Sequence, residues 1–526
     1  MKILVTESIS EEGIGILRRQ AQVDVKAGLK PEEIIAIIGD YEALVVRSQT
    51  KVTADIIDAG KRLQIIARAG VGIDNIDVEA ATRRGILVVN APEGNIVSTA
   101  EHTMAMLMAL ARQIPMANRQ LQAGVWNRNI KSYEIRNKTL GIIGLGRVGT
   151  EVAQLAKGMH LEVVACDPMV SEARAERLGI RLVELKRLLQ TSDFITVHVP
   201  LNSSTTGMIG RSQFKMLKPT AMLINCARGG IVDEKALLDA LNRGLLAGAA
   251  LDVFEQEPAQ DNVLLQNDKI VATPHLAAST VEAEISASRD IAEQVVAVLK
   301  GDLPKSPVNS PMISREAMPV VGPYFEVGKI IGRVVVQLIS GHPKTLTISY
   351  HGAIAREDTD PIKVAVLSGL LEMLTDERVN IINADIIAAN RGLNVTEKKD
   401  SASENYTSMV SVEMQTTSGS TLVAGSSLRG RTYLTRVDDY WLDIEPADSY
   451  MMFTEHKDRP GIIGAVGTII GDAGINISQM QVSVGIKRGG KAMIALCLSE
   501  PLSPECYRRI LAIPDMYRAL IVKLNG

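Results

Sequence analysis

Three chemically active side chains each follow an apolar run in the middle of the chain. Arg228 comes after AMLINCA, Glu257 shortly after GAALDVF, and His275 after KIVATP. An imidazole can accept a proton near neutral pH, a carboxylate beside it can orient it, and a guanidinium can pair with a carboxylate of a ligand. Together these groups suit the oxidation of an alcohol by hydride transfer, a reaction that also releases a proton.

A glycine-rich segment predicts a binding site for the hydride acceptor. GIIGLGRVG places Gly144, Gly146 and Gly149 directly after an apolar run and before a helical pattern. Glycines at these positions permit a tight turn, close approach of the backbone to a pyrophosphate, and packing of helix on strand. The next strand-like run ends at Asp167, whose carboxylate can accept hydrogen bonds from ribose hydroxyls and would repel a 2'-phosphate. The pattern therefore predicts a dinucleotide site that prefers NAD to NADP.

Each of these side chains also has a purely structural explanation. Arg228 could form a surface ion pair, Glu257 could be a solvated loop acid, and His275 could be a packed histidine, which is the commoner role beside apolar residues. The glycines could form a turn with an unrelated surface aspartate. The functional interpretation is favoured because all of these groups follow strands of one predicted sheet.

Two alternating series of strands and helices must position these groups. The first series, residues 1–91, combines short β-branched runs with helical segments and predicts a parallel sheet covered by helices. The second, residues 138–280, lies between two long helical segments at about residues 95–122 and 281–300. Ligands bind at the carboxyl ends of the strands in open parallel sheets, so the three active side chains are expected to meet at one edge.

The length of 526 residues predicts several domains. We expect a substrate-binding domain at 1–97 and 283–303, and a Rossmann domain at 98–282 inserted in it. A proline-rich linker, DLPKSPVNSP, leads to an α+β domain at 306–446, and residues 449–526 show the β-α-β-β-α-β order of a ferredoxin-like fold. The predicted class is α/β, with two doubly wound parallel-sheet domains, the first flavodoxin-like, followed by the two α+β domains.

The composition argues against several classes of function. The 57 Lys and Arg residues nearly balance the 60 Asp and Glu residues, and no basic run is present, so no nucleic-acid partner is expected. The four cysteines lack C-x-x-C spacing, which indicates neither a zinc site nor a disulfide framework and fits a reducing cytoplasm. The N-terminal MKILVTES and the apolar MAMLMALA predict neither export nor membrane insertion.

The segments NCARGGIVDEKAL, GAALDVFEQEP and TPHLAAST resemble the three signature blocks of the D-isomer-specific 2-hydroxyacid dehydrogenases. The resemblance covers about residues 1–301. It implies that His275 is the acid/base, Glu257 its partner and Arg228 the anchor of the substrate carboxylate. It also implies that Arg228 and His275 contact the cofactor, NAD, together with Val71, Arg147, Val148, Val199, Pro200, Cys226, Ala227, Asp252 and Ala278.

Loops of the first predicted domain carry groups suited to an acidic substrate. Arg47, Arg68 and Asn95 can bind a phosphate and a carboxylate. Arg128 and Lys131 are further candidates for the phosphate, with a surface ion pair as the alternative. Within the family, the closest resemblance is to members that oxidise 3-phospho-D-glycerate in the first step of phosphorylated L-serine biosynthesis, and it implies a homotetramer.

The C-terminal segment FTEHKDRPGIIGAVGTIIGDAGINI resembles an ACT domain, an amino-acid-sensing module, and residues 306–446 resemble the intervening domain of long family members. By this resemblance, His456, Asp458 and Asn476 line an effector site for L-serine, and Gly461 forms the turn that opens the helix. Asp458 departs from the pattern, because some serine-inhibited members carry asparagine there. A purely structural pairing module is the alternative.

Two other functions stay open. A glyoxylate or hydroxypyruvate reductase of the same family would use the same catalytic groups, but those enzymes lack the C-terminal module. An NADH-sensing interaction protein would keep the fold as a scaffold. Turnover of a 2-hydroxy or 2-keto acid distinguishes an enzyme from such a scaffold.

Overall fold

The computed structural model describes residues 1–302, 304–311, 317–375, 377–403, 405–446, 449–485 and 490–524. These residues form sheets of five, seven, six and four strands. The sheets lie within the four predicted domain ranges, whose end points stay predictions. None of the helices formed by the described residues is long and apolar enough to cross a membrane.

The N-terminal sheet is parallel and has the flavodoxin-like strand order β2-β1-β3-β4-β5. Near-continuous apolar runs such as ALVV form its strands, because helices cover both of its faces. The strands are β1 (Lys2–Val5), β2 (Gln22–Val25), β3 (Ala43–Val46), β4 (Ile65–Arg68) and β5 (Leu87–Asn90), and the helices are α1 (Glu11–Arg18), α2 (Pro31–Ile37), α3 (Ala54–Ala59) and α4 (Val78–Arg83).

Two helices, α5 (Ile96–Ala111) and α6 (Ile114–Gln122), connect the first sheet to the second. The sequence pattern predicted one continuous helix here. Gln113 interrupts it with a φ of 56°, a left-handed conformation that no α-helix can contain, and Pro115 stands in the first turn of α6.

The second sheet is also parallel, with the order β12-β11-β10-β9-β6-β7-β8. The direction of winding reverses between β6 and β9, which is the position where ligands bind in doubly wound sheets. The strands are β6 (Thr139–Ile143), β7 (Glu162–Cys166), β8 (Arg181–Leu182), β9 (Phe194–Val197), β10 (Met222–Asn225), β11 (Gly248–Leu251) and β12 (Ile270–Ala272), and the helices are α7 (Arg147–Gly158), α8 (Glu172–Arg177), α9 (Leu185–Thr191), α10 (Arg211–Phe214) and α11 (Glu234–Asn242).

Helix α12 (Val281–Leu299) returns the chain to the first domain. It packs closely on α1, where a Cβ added at Gly13 would lie 2.9 Å from the carbonyl oxygen of Ser288. The second domain is therefore inserted between β5 and α12 of the first.

The proline-rich segment after α12 pairs with the edge strand β5. The amide of Val308 donates to the carbonyl of Val88 (2.8 Å), and the side chain of Asn309 accepts from the amide of Val88 (2.8 Å) and donates to the carbonyl of Ile86 (2.9 Å). This segment is thus a part of the first domain's surface as well as a linker.

The third sheet is mixed and has the order β14-β13-β15-β16-β17-β18. A helical region at residues 318–338 is divided at Gly322 and Pro323. Arg378 and Asn380 dock this domain on the first, donating to the carbonyls of Leu63 (2.8 Å) and Gly85 (2.7 Å). The helices are α13 (Met318–Val321), α14 (Tyr324–Leu338), α15 (Asp360–Leu371) and α16 (Ala384–Asn390), and the strands are β13 (Pro343–Gly352), β14 (Asn394–Asp400), β15 (Ser408–Thr416), β16 (Gly419–Leu428), β17 (Arg431–Val437) and β18 (Tyr440–Ile444).

The last sheet is antiparallel, with the ferredoxin-like order β20-β21-β19-β22. One face is covered by its own helices, and the other packs against α14 of the preceding domain. The amide group of Gln337 on α14 completes this contact by donating to the carbonyl of Lys523 (2.8 Å) and accepting from its N–H (2.9 Å). The elements are β19 (Tyr450–Lys457), α17 (Ile462–Asp472), β20 (Ile477–Val484), β21 (Lys491–Leu498), α18 (Pro504–Leu511) and β22 (Met516–Lys523).

Candidate active site

A cavity of about 400 Å³ lies between the first two domains, where the carboxyl ends of both parallel sheets face each other. Both domains contribute polar groups to it. Eight of the residues predicted from the sequence line this cavity: Arg47, Arg68, Val71, Asn95, Arg228, Glu257, His275 and Ala278.

His275 and Glu257 form a hydrogen-bonded pair at the cavity wall. Nδ1 of His275 lies 2.7 Å from Oε2 of Glu257, and the other carboxylate oxygen accepts from the amide of Phe254 (3.1 Å). The two side chains are 48 % and 37 % exposed. A carboxylate on one ring nitrogen fixes the tautomer, so the other nitrogen is available for proton exchange with a ligand.

The loop that carries His275 is held by the buried Asp252. His275 has a φ of 57°, and its amide donates to the carbonyl of Asp252 (2.9 Å). The Asp252 carboxylate is 0 % exposed and accepts from the amides of Leu276 (2.7 Å) and Ala277 (2.9 Å). Asp252 was predicted as a cofactor contact, which stays a prediction, and in the structure it fixes the backbone around His275.

His102 and Thr273 complete this partly buried network, and the sequence analysis did not identify either. Nε2 of His102 lies 3.2 Å from Oγ1 of Thr273 and 3.4 Å from the Asp252 carboxylate. The hydroxyl of Thr273 also donates to that carboxylate (2.6 Å). The only sequence signal was a polar pair, His102 and Thr103, at the edge of an apolar helical run.

Three arginines line the cavity. Arg228, after β10, donates to the carbonyl of Ala227 (2.7 Å), and Arg47, after β3, donates to the carbonyl of Ser8 (3.1 Å). Arg68 ends β4; burial and the nearby Arg228 charge lower its pKa. Its Nε atom is buried and has no hydrogen-bond partner within the part of the chain that the structure describes. The residue itself lines the cavity.

Two side chains that the sequence analysis missed shape the loop of Arg47. The buried Glu7 carboxylate accepts from the amides of Arg47 (2.9 Å) and Thr50 (2.9 Å). The Asn75 amide donates to the carbonyls of the same two residues, at 2.8 and 2.7 Å. The loop after β3 is thus held by residues that follow its two neighbouring strands, β1 and β4.

The turn between β6 and α7 has the geometry of a dinucleotide cradle. Gly144 has a φ of 94°, and a Cβ at Gly149 would lie 2.0 Å from the Gly144 carbonyl oxygen. A Cβ at Gly146 would meet nothing within 4 Å, so the helix N-terminus is open to a ligand. The Asp167 carboxylate accepts from the amides of Leu145 (2.8 Å) and Met169 (2.9 Å), which places it at the end of this turn. These residues fit a dinucleotide.

The remaining predicted cofactor contacts surround the same strand ends. Arg147 and Val148 begin α7, Val199 and Pro200 follow β9, and Cys226 and Ala227 follow β10. Burial raises the pKa of the Cys226 thiol to about 12, so this cysteine stays neutral at physiological pH.

Arg128 and Lys131 are not among the residues that line the cavity. Both are exposed in the segment between α6 and β6. Their predicted phosphate contact therefore has no support within a single chain.

The predicted effector residues lie in the C-terminal domain. His456 is 2 % exposed, and its Nδ1 donates to the carbonyl of Lys457 (3.0 Å), while its Nε2 has no partner among the described residues. Asp458 and Asn476 are exposed. Gly461 has a φ of 95° and caps α17, as predicted from its place in the turn.

Comparison with known proteins matches three parts of the chain to family models. Residues 104–277 match the D-isomer specific 2-hydroxyacid dehydrogenase NAD binding domain, residues 320–434 the D-3-phosphoglycerate dehydrogenase intervening domain, and residues 450–505 the ACT domain. The D-3-phosphoglycerate dehydrogenase of Synechocystis is 44 % identical, over 99 % of this chain and 95 % of that protein. The D-3-phosphoglycerate dehydrogenase of Archaeoglobus fulgidus is 42 % identical, over 100 % of both chains. The chain belongs to the D-3-phosphoglycerate dehydrogenase family.

This family member is therefore an NAD-dependent dehydrogenase, as the sequence analysis predicted. The chain is also similar in structure to the D-lactate dehydrogenase from Aquifex aeolicus complexed with NAD and lactic acid. That similarity has a TM-score of 0.53 and 27 % identity, and covers 59 % of this chain and 100 % of the other.

Proposed function

We propose that the chain oxidises 3-phospho-D-glycerate to 3-phosphohydroxypyruvate with NAD, the first step of phosphorylated L-serine biosynthesis. The observation that carries the proposal is the cavity, in which the His275–Glu257 pair faces three arginines from two domains. A substrate with a carboxylate at one end and a phosphate at the other needs such an arrangement. The names of the relatives support the same substrate.

Each polar group of the cavity has a task in this reaction. Nε2 of His275 takes the proton of the substrate hydroxyl, and Glu257 orients the ring and stabilises its charged form. Arg228 binds the substrate carboxylate beside the reacting carbon. Bound NAD supplies the hydride acceptor.

Arg68, Arg47 and Asn95 are proposed to bind the rest of the substrate. Arg68 lines the cavity, and the loop of Arg47 is held by Glu7 and Asn75.

We also propose a cytoplasmic homotetramer whose ACT domains bind L-serine. Large apolar side chains exposed near α6 support an assembly, since Leu121 is 57 % and Trp126 79 % exposed. The unpartnered Nε2 of His456 supports a ligand near Asp458 and Asn476.

The test is NADH oxidation with phosphohydroxypyruvate, run beside unphosphorylated hydroxypyruvate and repeated with L-serine. Preference for the phosphorylated acid with inhibition by serine would support both the enzyme and the effector site. Preference without inhibition would leave the enzyme and remove the effector proposal. Equal use of both acids would favour a hydroxypyruvate reductase, and turnover of neither would favour an NADH-binding scaffold.

A further inference from the structure

Two acidic side chains lie inside the cavity, each beside one of the arginines. Oδ2 of Asp74 is 3.5 Å from Nε of Arg228, and Oε1 of Glu284 is 3.2 Å from Nη1 of Arg47. Both acids line the same cavity as the catalytic pair. Each contact joins groups that come from different parts of the cleft, since Asp74 follows β4 and Glu284 is in the first turn of α12.

Each arginine also has a contact besides its ion pair. Arg228 also donates to the carbonyl of Ala227, and Arg47 also donates to the carbonyl of Ser8. The Asp74 side chain is 76 % exposed and that of Glu284 38 % exposed, so the ion pairs themselves stabilise the fold little.

The two acids nevertheless lie beside guanidinium groups that line the cavity. A guanidinium binds a carboxylate or a phosphate oxygen through the same N–H groups that now face Asp74 and Glu284. An entering anion therefore competes with a carboxylate of the protein at each arginine.

We propose that Asp74 and Glu284 pair with the arginines in place of the two anionic groups of the substrate. Asp74 takes the position of the carboxylate, and Glu284 that of the phosphate. This inference rests on the proposed function for the identity of the groups. It makes the two acids specificity-determining residues, because each weakens binding at only one end of the substrate.

The assignment predicts different effects for the two neutral variants. Asp74→Asn removes the competitor at Arg228, so the KM should fall about threefold to tenfold for both hydroxypyruvate and phosphohydroxypyruvate. Glu284→Gln removes the competitor at Arg47, so the KM should fall by a similar factor for phosphohydroxypyruvate alone. Both decreases in KM should become smaller at high salt, because they come from the removal of a charge.

Asp58→Asn is the matched control. Asp58 pairs with Nε of Arg84 at 3.5 Å and is 66 % exposed, but it lies on α3 outside the cavity. This variant should leave both KM values unchanged. A rise in KM in Asp74→Asn or Glu284→Gln, or no change, would overturn the inference, because the acids would then support the arginines or play no part in binding.

Calorimetric titration of the full chain with oxalate and with inorganic phosphate separates this inference from the proposed function. Asp74→Asn should bind oxalate more tightly, and Glu284→Gln should bind phosphate more tightly. If the unmodified enzyme turns over neither keto acid, the proposed function fails, and these two titrations still decide the inference.

Discussion

At the residue scale, the site depends on contacts between side chains that are far apart in the sequence. The meeting of Arg228, Glu257 and His275 in one cavity could be predicted, because each lies in a recognisable segment after a strand. His102 could not, because it meets Thr273 across 171 positions and no pattern joins the two. Asp74 and Glu284 were missed for the same reason, since an acid in a loop has no sequence signature until its partner arginine is located.

Replacing His275 tests the assignment of the acid/base. His275→Ala should lower kcat about a thousandfold or more and leave NADH affinity nearly intact, because the imidazole moves a proton and the glycine-rich turn binds the dinucleotide. Steady-state kinetics and NADH fluorescence titration measure the two quantities. Glu257→Gln should cause a smaller loss of kcat, since the ring stays in place without its charge partner. Loss of NADH binding together with turnover would show that His275 is structural.

Asp167 is expected to determine the choice of cofactor. Asp167→Ala should raise the ratio of NADP to NAD efficiency about tenfold or more, because the carboxylate would repel a 2'-phosphate. The measurement is kcat/KM with each cofactor. Asp167 also accepts two backbone hydrogen bonds, so some loss of overall activity is expected. An equal loss with both cofactors would mean that it only holds the turn.

At the scale of elements, the positions of strands and helices follow from the apolar pattern, but their interruptions do not. The parallel sheets and the glycine-rich turn were predicted, whereas the break between α5 and α6 was not. Gln113 adopts a left-handed conformation there, and glutamine has no preference that marks such a position. The pairing of Asn309 with β5 was equally hidden, because the proline-rich segment carries no strand pattern.

The close approach of β6 and α7 gives a prediction about one element. Gly149→Ala should abolish NADH binding, because its Cβ would lie 2.0 Å from the Gly144 carbonyl and force the turn apart. Gly158→Ala is the control in the same helix, where a Cβ meets nothing within 4 Å. The control should bind NADH normally and be slightly more stable to heat, by roughly 0.5–1 kcal/mol. NADH titration and thermal unfolding distinguish the two variants. Normal NADH binding by Gly149→Ala would contradict the proposal that this turn binds the dinucleotide.

At the scale of the whole molecule, the domains form a continuous series of docked units. Arg378 and Asn380 join the third domain to the first, and α14 joins the third to the ACT domain. If the predicted effector residues bind a ligand, a rearrangement there has a packed route to the sheet that carries Arg47 and Arg68. The order of the domains was clear from the sequence, but their docking was not, since it depends on single polar groups such as Gln337.

Arg333 on α14 is a second polar link to the ACT domain, beside Gln337. It is 13 % exposed, donates to Glu372 (2.7 Å) and to the carbonyl of Leu524 (2.7 Å), and with Lys329 it holds the pKa of Glu372 below its usual value against the opposing effect of burial. Arg333→Ala should weaken the docking of β22 by about 2–3 kcal/mol. Hydrogen exchange of the β22 amides should then become faster.

Arg431→Ala is the control for that experiment. Arg431 is 69 % exposed and pairs with Glu445 at 3.2 Å, so its removal should change exchange rates little. Equal effects of the two variants would mean that Arg333 has no special part in domain docking.

The pairing of residues 307–309 with β5 has a practical consequence for fragments of this protein. The strand is at the edge of the first sheet, and Val308 and Asn309 cover its backbone groups. A two-domain catalytic fragment that stops at the end of α12 would leave that edge open to pairing with other chains. Such a fragment should aggregate more readily than one that continues to Asn309, even though both contain every residue of the cavity.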